Sequence, residues 1–300
     1  MTASVPASVE GRRPERSEIA IQIARRRRLS DVSNWLFLGA SLIALVVLFV
    51  LAADTLITGI PRLNVSFFTN FPSRFADEAG LRSSLIGSAW LLGLTVLFVL
   101  PIAVGTAVWI EEFAPRNRFM SLVKLNLANL AGVPSIIYGV LGLAVFVRLA
   151  GMGPSILAGA LTLFLMILPM TVIATQEALR QVPSSIREAA LALGATRWQV
   201  SWYQVLPQAL PGILTGLILA VSRAMGETAA LIMIGAFAFI AFDNRWVTEN
   251  FTTLPIQIYN WTVRPQEDFR ANAAAGIIVL MAIVLAFNLA AAVVRERSRR

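Results

Sequence analysis

The 300-residue sequence contains no cysteine and no histidine, and its only lysine is Lys124. These absences exclude disulfide bonds, thiol catalysis, histidine-ligated metal sites and a Ser-His-Asp triad. A P-loop needs a lysine that directly follows a glycine, whereas Lys124 follows Val123. The sequence therefore predicts a chain that is not an enzyme. If ATP drives its activity, a partner protein must bind and hydrolyse it.

Charged residues are scarce, at 14% of the chain, whereas hydrophobic residues make up 57%. This composition is typical of membrane proteins. Several apolar runs approach or exceed the roughly 18 to 20 residues that cross the hydrocarbon core of a bilayer. The net charge is +8, but the basic residues are concentrated at the chain ends and between the apolar runs. This distribution indicates that the basic residues set the orientation of the chain in a lipid membrane and do not bind nucleic acid.

The apolar runs predict an all-α membrane protein with six transmembrane helices. The predicted helices cover about residues 35–53, 84–110, 125–149, a fourth ending near 175, 207–234 and 271–294. Residues 1–34 are then an N-terminal tail, 35–294 a six-helix transmembrane domain and 295–300 a C-terminal tail. A signal peptide is the alternative for the first run, but the length of the run and its long charged lead-in favour a retained helix.

The positions of the basic residues predict the orientation of this domain. With both tails in the cytoplasm, residues 54–82 and 241–270 are external loops and residues 176–206 are a cytoplasmic loop. Most of the 25 Lys and Arg residues then lie on the cytoplasmic side, as the positive-inside rule requires. The expected location is the cytoplasmic (inner) membrane, with multiple passes.

The predicted cytoplasmic loop contains the first of two unusual motifs. Its residues are Glu188, Ala189, Ala190 and Gly194, followed at the start of the fifth helix by Leu206 and Pro207. A short helix with small residues on one face can fit into a cleft of a partner, and a glycine permits a sharp turn back to the membrane. The alternative is an amphipathic helix lying on the membrane surface.

The second motif places two opposite charges inside the predicted fifth helix. Arg223 and Glu227 are four residues apart and are followed by Thr228, so a continuous helix would put both charges on one face, about 6 Å apart. They could form a structural ion pair that neutralises itself. Alternatively, Arg223 could offer its planar guanidinium to an oxyanion while Glu227 orients it.

Both motifs resemble those of ABC importer permeases. The first is similar to the EAA loop that these permeases present to their ATPase. The run Arg223-x-x-Gly226-Glu227-Thr228 resembles the Arg-x-x-Gly-Glu-Thr run of phosphate-specific importers, and the chain is most similar to their A-type permease subunit. The resemblance implies the type I ABC importer permease fold with a cytoplasmic coupling helix. It also implies a substrate pathway at Arg223, Glu227 and Thr228 and ATPase coupling through the residues of the first motif.

The resemblance further implies the partners of the chain. They are a C-type permease subunit, an ATPase dimer that binds ATP and Mg, and an extracytoplasmic phosphate-binding protein. No cofactor is expected in the chain itself. The expected function is translocation of inorganic phosphate by alternating access, with ATP binding and hydrolysis in the ATPases moving the coupling helix.

Three alternatives remain at this point. The chain could be the C-type partner subunit, which shares both motifs, although the segment from Leu254 to Pro265 looks more like the A-type. It could be a permease for another oxyanion, such as molybdate or sulfate. The alternative from a different class is an ion-coupled secondary transporter with Glu227 as its coupling carboxylate, which the resemblance to an ATPase-docking loop disfavours.

Overall fold

The computed structural model describes the backbone of residues 16–236 and 239–297 and the side chains of residues 33–236 and 239–296. Residues 1–15 of the predicted N-terminal tail and 298–300 of the predicted C-terminal tail lie outside the described residues. The described part of the chain is helical apart from turns, loops and one isolated β-bridge between Ser155 and Asn250. The predicted all-α fold is therefore confirmed.

The helices differ widely in length, and some of them are extended by π-helical turns. In chain order they are α1 (Arg16–Gly59), α2 (Val65–Thr69), α3 (Arg82–Val108), α4 (Arg118–Ala131), α5 (Ser135–Gly142), α6 (Ile156–Arg180), α7 (Ser184–Ala192), α8 (Arg197–Gln199), α9 (Leu206–Met225), α10 (Ala229–Met233), α11 (Leu254–Thr262) and α12 (Asp268–Arg297). The π-turns are Trp109–Phe113 after α3, Leu143–Leu149 after α5 and Val200–Val205 between α8 and α9.

Five helical segments of the described chain are long and apolar enough to cross a membrane. They are Ser33–Arg62, Arg82–Phe113, Ile156–Arg180, Arg197–Met225 and Asp268–Glu296. Helix α4 and the segment Ser135–Leu149 pass the same test as a pair, although they are bent by 96° relative to each other, and counted as one span they make a sixth. These segments correspond to the six predicted spans.

The third predicted span, residues 125–149, is not one straight helix. It begins earlier, at Arg118, and breaks between Ala131 and Ser135. The break lies at Gly132 and Pro134, because proline lacks a backbone N–H and disfavours a helical conformation of the residue before it. The apolar run continues through this break, which is why hydropathy alone predicts a single helix.

The structure divides into two compact units, one up to Asp54 and the other from Thr55 onwards. In the first unit, α1 already begins at Arg16, so that residues 16–34, which belong to the predicted N-terminal tail, are helical. No proline occurs between Pro14 and Pro61, and Ala, Leu, Arg and Ile in this segment are compatible with a helix. The large apolar side chains of this unit, including Phe37 and Phe49, are exposed.

The second unit is built around α3, α6 and α9. Leu163 and Ile167 of α6 and Ile213 of α9 are almost completely buried there. Gly139 and Gly142 of α5 lie directly against Ala230 and Thr162, so that no side chain fits between the helices. Close approach through small residues is a common way of packing helices in membranes.

Polar contacts define two ends of the second unit. The end of α3, the end of α6 and helix α7 meet at one end, which we call the α7 end. At the opposite end, the start of α3 contacts residues 239–253. There, Arg82 donates to both carboxylate oxygens of Asp243, at 2.9 and 2.5 Å. These hydrogen bonds lower the pKa of Asp243 below its usual range.

Candidate functional site

The first predicted motif forms a short helix followed by a tight turn. Helix α7 ends at Ala192, and Gly194 follows the C-cap residue Leu193 with φ +85°. The Gly194 N–H donates to the carbonyl of Leu191 at 2.9 Å, and the Ala195 N–H donates to that of Ala190 at 3.1 Å. This pair of bonds is a Schellman motif, which needs a left-handed residue after the helix. The sharp turn predicted at Gly194 is therefore present.

One face of α7 is exposed, and the other packs against the rest of the second unit. Glu188 and Ala189 are exposed, whereas Ala190 is half-buried against the core. Leu191 and Leu193 are also exposed, by 46% and 89%. A surface with a carboxylate, a small residue and two leucines suits a partner that has an apolar cleft. The role of Glu188, Ala189, Ala190 and Gly194 in ATPase coupling stays a prediction.

Arg187 fixes α7 to the rest of the α7 end, a contact that sequence reasoning missed. Its Nε and Nη2 donate to Glu112 Oε1 at 3.2 and 2.9 Å. Its Nη1 donates to the Val182 carbonyl at 2.6 Å, and Nη2 also donates to the Leu179 carbonyl at 2.8 Å. One guanidinium therefore joins α7 to the π-turn after α3 and to the segment that ends α6.

The neighbouring carboxylate, Glu111, has different partners. Its Oε1 accepts from Lys124 of α4 at 2.9 Å and from Arg180 Nη2 at 2.8 Å. Arg180 also donates to Glu177, one turn earlier in α6, at 2.8 Å. Two consecutive glutamates thus contact side chains from α4, α6 and α7. The sequence shows that these residues have opposite charges, but the spacing of the residues along the chain does not predict which of them pair.

The chain re-enters the bundle through α8 and a π-turn. Thr196 and Gln199 form a capping box at the start of α8. From Arg197 to Met225 the backbone is helical without a break, with Leu206 and Pro207 at the junction of the π-turn with α9. Leu206 lines an apolar cavity of about 520 Å³ between α3 and α9. Because α8, the π-turn and α9 form one continuous helical segment, a displacement of α8 would move α9 directly.

The second predicted motif lies at a break between helices, which corrects the predicted continuous fifth helix. Helix α9 ends at Met225, and α10 begins at Ala229. Arg223 is in the last turn of α9, whereas Glu227 and Thr228 lie in the break. Gly226 has a low helix propensity, and the Glu227 carboxylate accepts from the Ala230 N–H at 3.1 Å, which stabilises a new helix start. Arg223 and Glu227 therefore do not share one helix face.

Arg223 is left without a carboxylate partner in the described part of the chain. Its side chain is exposed, and its Nη1 lies 3.9 Å from the sulfur of Met170 on α6. None of the ion pairs among the described side chains includes Arg223 or Glu227. The Thr228 hydroxyl, half-buried, lies 3.4 Å from the Gly226 carbonyl. The geometry contradicts a self-neutralising ion pair and leaves a guanidinium, a carboxylate and a hydroxyl at one break in the bundle.

Comparison with known proteins identifies the family. Residues 100–300 match the family described as the binding-protein-dependent transport system inner membrane component. The chain belongs to this family. It is thus a multi-pass inner-membrane protein and a transport component, as predicted.

Curated relatives resemble the chain over most of its length. A probable ABC transporter permease protein, YqgI of Bacillus subtilis, is 34% identical over 278 residues, 88% of this chain and 95% of the relative. The phosphate transport system permease protein PstA of Haemophilus influenzae is 35% identical over 268 residues, 85% of this chain and 91% of the relative. Each alignment leaves no more than 15% of this chain uncovered, so both alignments include the segment that contains the two motifs.

Solved structures show the same fold. A chain from the crystal structure of a bacterial ABC transporter that imports the acidic polysaccharide alginate aligns with a TM-score of 0.58 and 18% identity. The alignment covers 90% of this chain and 99% of that chain. The predicted type I ABC importer permease fold is confirmed.

Proposed function

We propose that this chain is the A-type permease subunit of an ATP-driven importer that moves inorganic phosphate across the inner membrane. The observation that carries the proposal is Arg223, which lies at the break between α9 and α10 and forms no ion pair with any described side chain, in a chain whose relatives include phosphate transport permeases. A guanidinium is always charged and presents a planar set of donors that matches phosphate oxygens. Arg223 supplies positive charge along the pathway, and Thr228 adds a hydroxyl.

Glu227 keeps the substrate site open in this proposal. Its carboxylate caps α10, so it fixes the position of the break without neutralising Arg223. The same contact weakens the alternative in which Glu227 is the coupling carboxylate of a secondary transporter. A coupling carboxylate must exchange protons or ions during transport, whereas this one stabilises a helix start.

The pathway is completed by a second permease. Arg223 is exposed on the surface of the isolated chain, although it lies within a membrane-spanning helix. Charged side chains in membrane spans normally face a protein interior or an aqueous path. A homologous C-type subunit that packs against this face would enclose Arg223 between two chains.

The remaining partners follow from the α7 surface and from the charges. An ATPase dimer binds ATP and Mg and receives Glu188, Ala189 and Ala190 of α7 in a cleft. The chain itself performs no catalysis. The α7 end faces the cytoplasm, because it gathers the basic residues Arg116, Arg118, Lys124, Arg180, Arg187 and Arg197. Both termini are then cytoplasmic, and an external binding protein delivers phosphate to the opposite end.

Reconstitution tests the proposal. The chain is assembled with its C-type permease and ATPase dimer in proteoliposomes, and uptake of radiolabelled phosphate is measured with its binding protein and ATP. We expect phosphate uptake that stops without ATP and that excess sulfate or molybdate does not reduce. Preferential import of sulfate or molybdate would contradict the substrate assignment. Uptake that persists without ATP under an ion gradient would instead support a secondary transporter.

A further inference from the structure

Two consecutive glutamates in the π-turn Trp109–Phe113 connect different parts of the α7 end. Glu111 pairs with side chains of α4 and α6, whereas Glu112 pairs with Arg187 of α7. π-helical turns are uncommon and frequently lie at functional sites. Since this π-turn directly continues α3, any force on the Glu112 carboxylate acts on the end of α3.

The Glu112–Arg187 pair is the more enclosed of the contacts at this end. The two side chains are 10% and 23% exposed, whereas Arg180 is 44% exposed. Arg187 also donates to the carbonyls of Leu179 and Val182. Because the guanidinium is a rigid planar group, these simultaneous bonds fix the direction of α7 relative to α3 and α6. An ammonium group on a flexible stem could not make all of them in one geometry.

Glu112 also contacts the chain beyond the Gly194 turn. Arg197 Nη2 of α8 donates to the backbone carbonyl of Glu112 at 2.7 Å. Glu112 is therefore held by α7 through its carboxylate and by α8 through its backbone. Two routes lead from α7 into the bundle: the covalent chain leads through α8 to α9, and Glu112 leads to α3.

We propose that Glu112 and Arg187 are positioning residues that carry the movement of α7 to α3, so that α3 and α9 move together during transport. This inference rests on the proposed function, in which α7 is the helix that contacts the ATPase. Adjacent residues of α7 then have opposite tasks: Glu188 faces the ATPase, and Arg187 faces Glu112. Loss of the pair leaves ATP hydrolysis active but reduces the phosphate imported per ATP.

The test measures ATP hydrolysis and phosphate uptake together in the reconstituted complex. For Arg187→Gln and Glu112→Gln we expect the rate of ATP hydrolysis to persist and the ratio of phosphate to ATP to fall about fivefold or more. Arg187→Lys keeps the charge but not the planar group, so it should restore only part of the ratio. Lys124→Gln removes an ion pair at the same end that does not involve α7, so it should leave the ratio unchanged.

The absence of native cysteine in this chain allows a second test that compares two states of one assembled sample. In the assembled complex carrying Glu112→Cys and Arg187→Cys, a bifunctional methanethiosulfonate reagent joins the two positions, and dithiothreitol releases them in the same sample. We expect a ratio near that of the wild type when they are joined and a fall of about fivefold or more on release. The wild-type complex treated identically controls for cysteines in the partners.

Several results would overturn the inference. One is an equal ratio of phosphate to ATP in the joined and released forms, and another is a joined complex that hydrolyses ATP without phosphate uptake. A double-cysteine chain that no longer assembles would also overturn it, because the pair would then be needed for folding. If the wild-type complex itself imports no phosphate with ATP, the proposed function fails, and the inference that rests on it fails with it.

Discussion

The carboxylate of Glu227 accepts a hydrogen bond from the backbone N–H of Ala230 at 3.1 Å, and so it caps α10 instead of neutralising Arg223. The nearest polar contact of the Arg223 guanidinium that the structure shows is the weakly accepting sulfur of Met170. A charged side chain in a membrane span is unfavourable unless protein, water or a ligand solvates it. An anion that passes this break would meet a cation whose charge is not compensated by any carboxylate among the described side chains.

The first prediction concerns Arg223→Gln. Because Arg223 forms no ion pair among the described side chains, the variant should assemble with its partners and unfold at the wild-type temperature. Its rate of ATP-driven phosphate uptake should fall about 100-fold or more, because a neutral amide cannot compensate the desolvation of phosphate. Uptake of radiolabelled phosphate is compared with the unfolding temperature of the purified complex.

The double variant Arg223→Gln with Glu227→Gln is the control for this prediction. A glutamine at position 227 keeps an oxygen that can accept from Ala230, so the cap on α10 should survive. If the two residues formed an ion pair in the assembled complex, removing both charges would recover uptake. We expect no recovery, and substantial uptake by a well-assembled double variant would place the substrate site elsewhere.

The sequence predicted the features that depend on local pattern. Long apolar runs predicted the spans, and Gly194 predicted the turn after α7, because few other residues adopt its φ of +85°. The breaks at Pro134 and Gly226 were not predicted. Proline and glycine also occur inside membrane helices that continue, as Pro169 does in α6, so neither residue by itself decides where a helix ends.

Contacts between distant segments could not be predicted in this way. Glu112 and Arg187 are 75 positions apart, and several other arginines could have paired with Glu112 on charge alone. Which one does so depends on how α3, α6 and α7 pack. The exposed face of Glu188 and the enclosed position of its neighbour Arg187 likewise became distinguishable only in the folded chain.

The second prediction concerns Gly194. Apart from Gly194 itself and its two chain neighbours, no residue has an atom within 4 Å of the position where a Cβ would be, so a substitution there has mainly the conformational cost of a positive φ. Gly194→Ala should destabilise the turn by about 1 to 2 kcal/mol, and Gly194→Val by more because of its branched side chain. Gly194→Asn should be tolerated better, since asparagine adopts this conformation more readily. Recovery of the ATPase with the purified permease measures the effect, and equal loss for Asn and Val would contradict it.

The third prediction concerns the pH dependence of the Arg82–Asp243 pair. Hydrogen bonds from Arg82 lower the pKa of Asp243 in the folded state. The stabilisation is thus fully present above the unfolded-state pKa, near about 4, and is lost as the pH falls through the lower folded-state pKa. Amide hydrogen exchange of residues 239–253 should accelerate, relative to the intrinsic rate, only in that acidic range. Asp243→Asn should abolish this acid-induced acceleration of exchange, whereas Asp77→Asn, at an exposed position, should not.

The last prediction separates an ATPase-docking helix from a helix that merely lies on the membrane surface. Glu188 is exposed, and among the described side chains it takes part in no ion pair, so Glu188→Lys should insert, fold and unfold like the wild type. In a docking helix, the reversed charge meets partner groups that accommodate a carboxylate, and recovery of the ATPase with the permease should fall about tenfold or more. Gln181→Lys, at an exposed position beyond α6, adds the same side chain outside α7 and should leave recovery unchanged. On a membrane surface, an added lysine would instead favour contact with anionic lipid. Normal ATPase recovery with Glu188→Lys, together with normal phosphate uptake, would therefore assign α7 to the membrane surface.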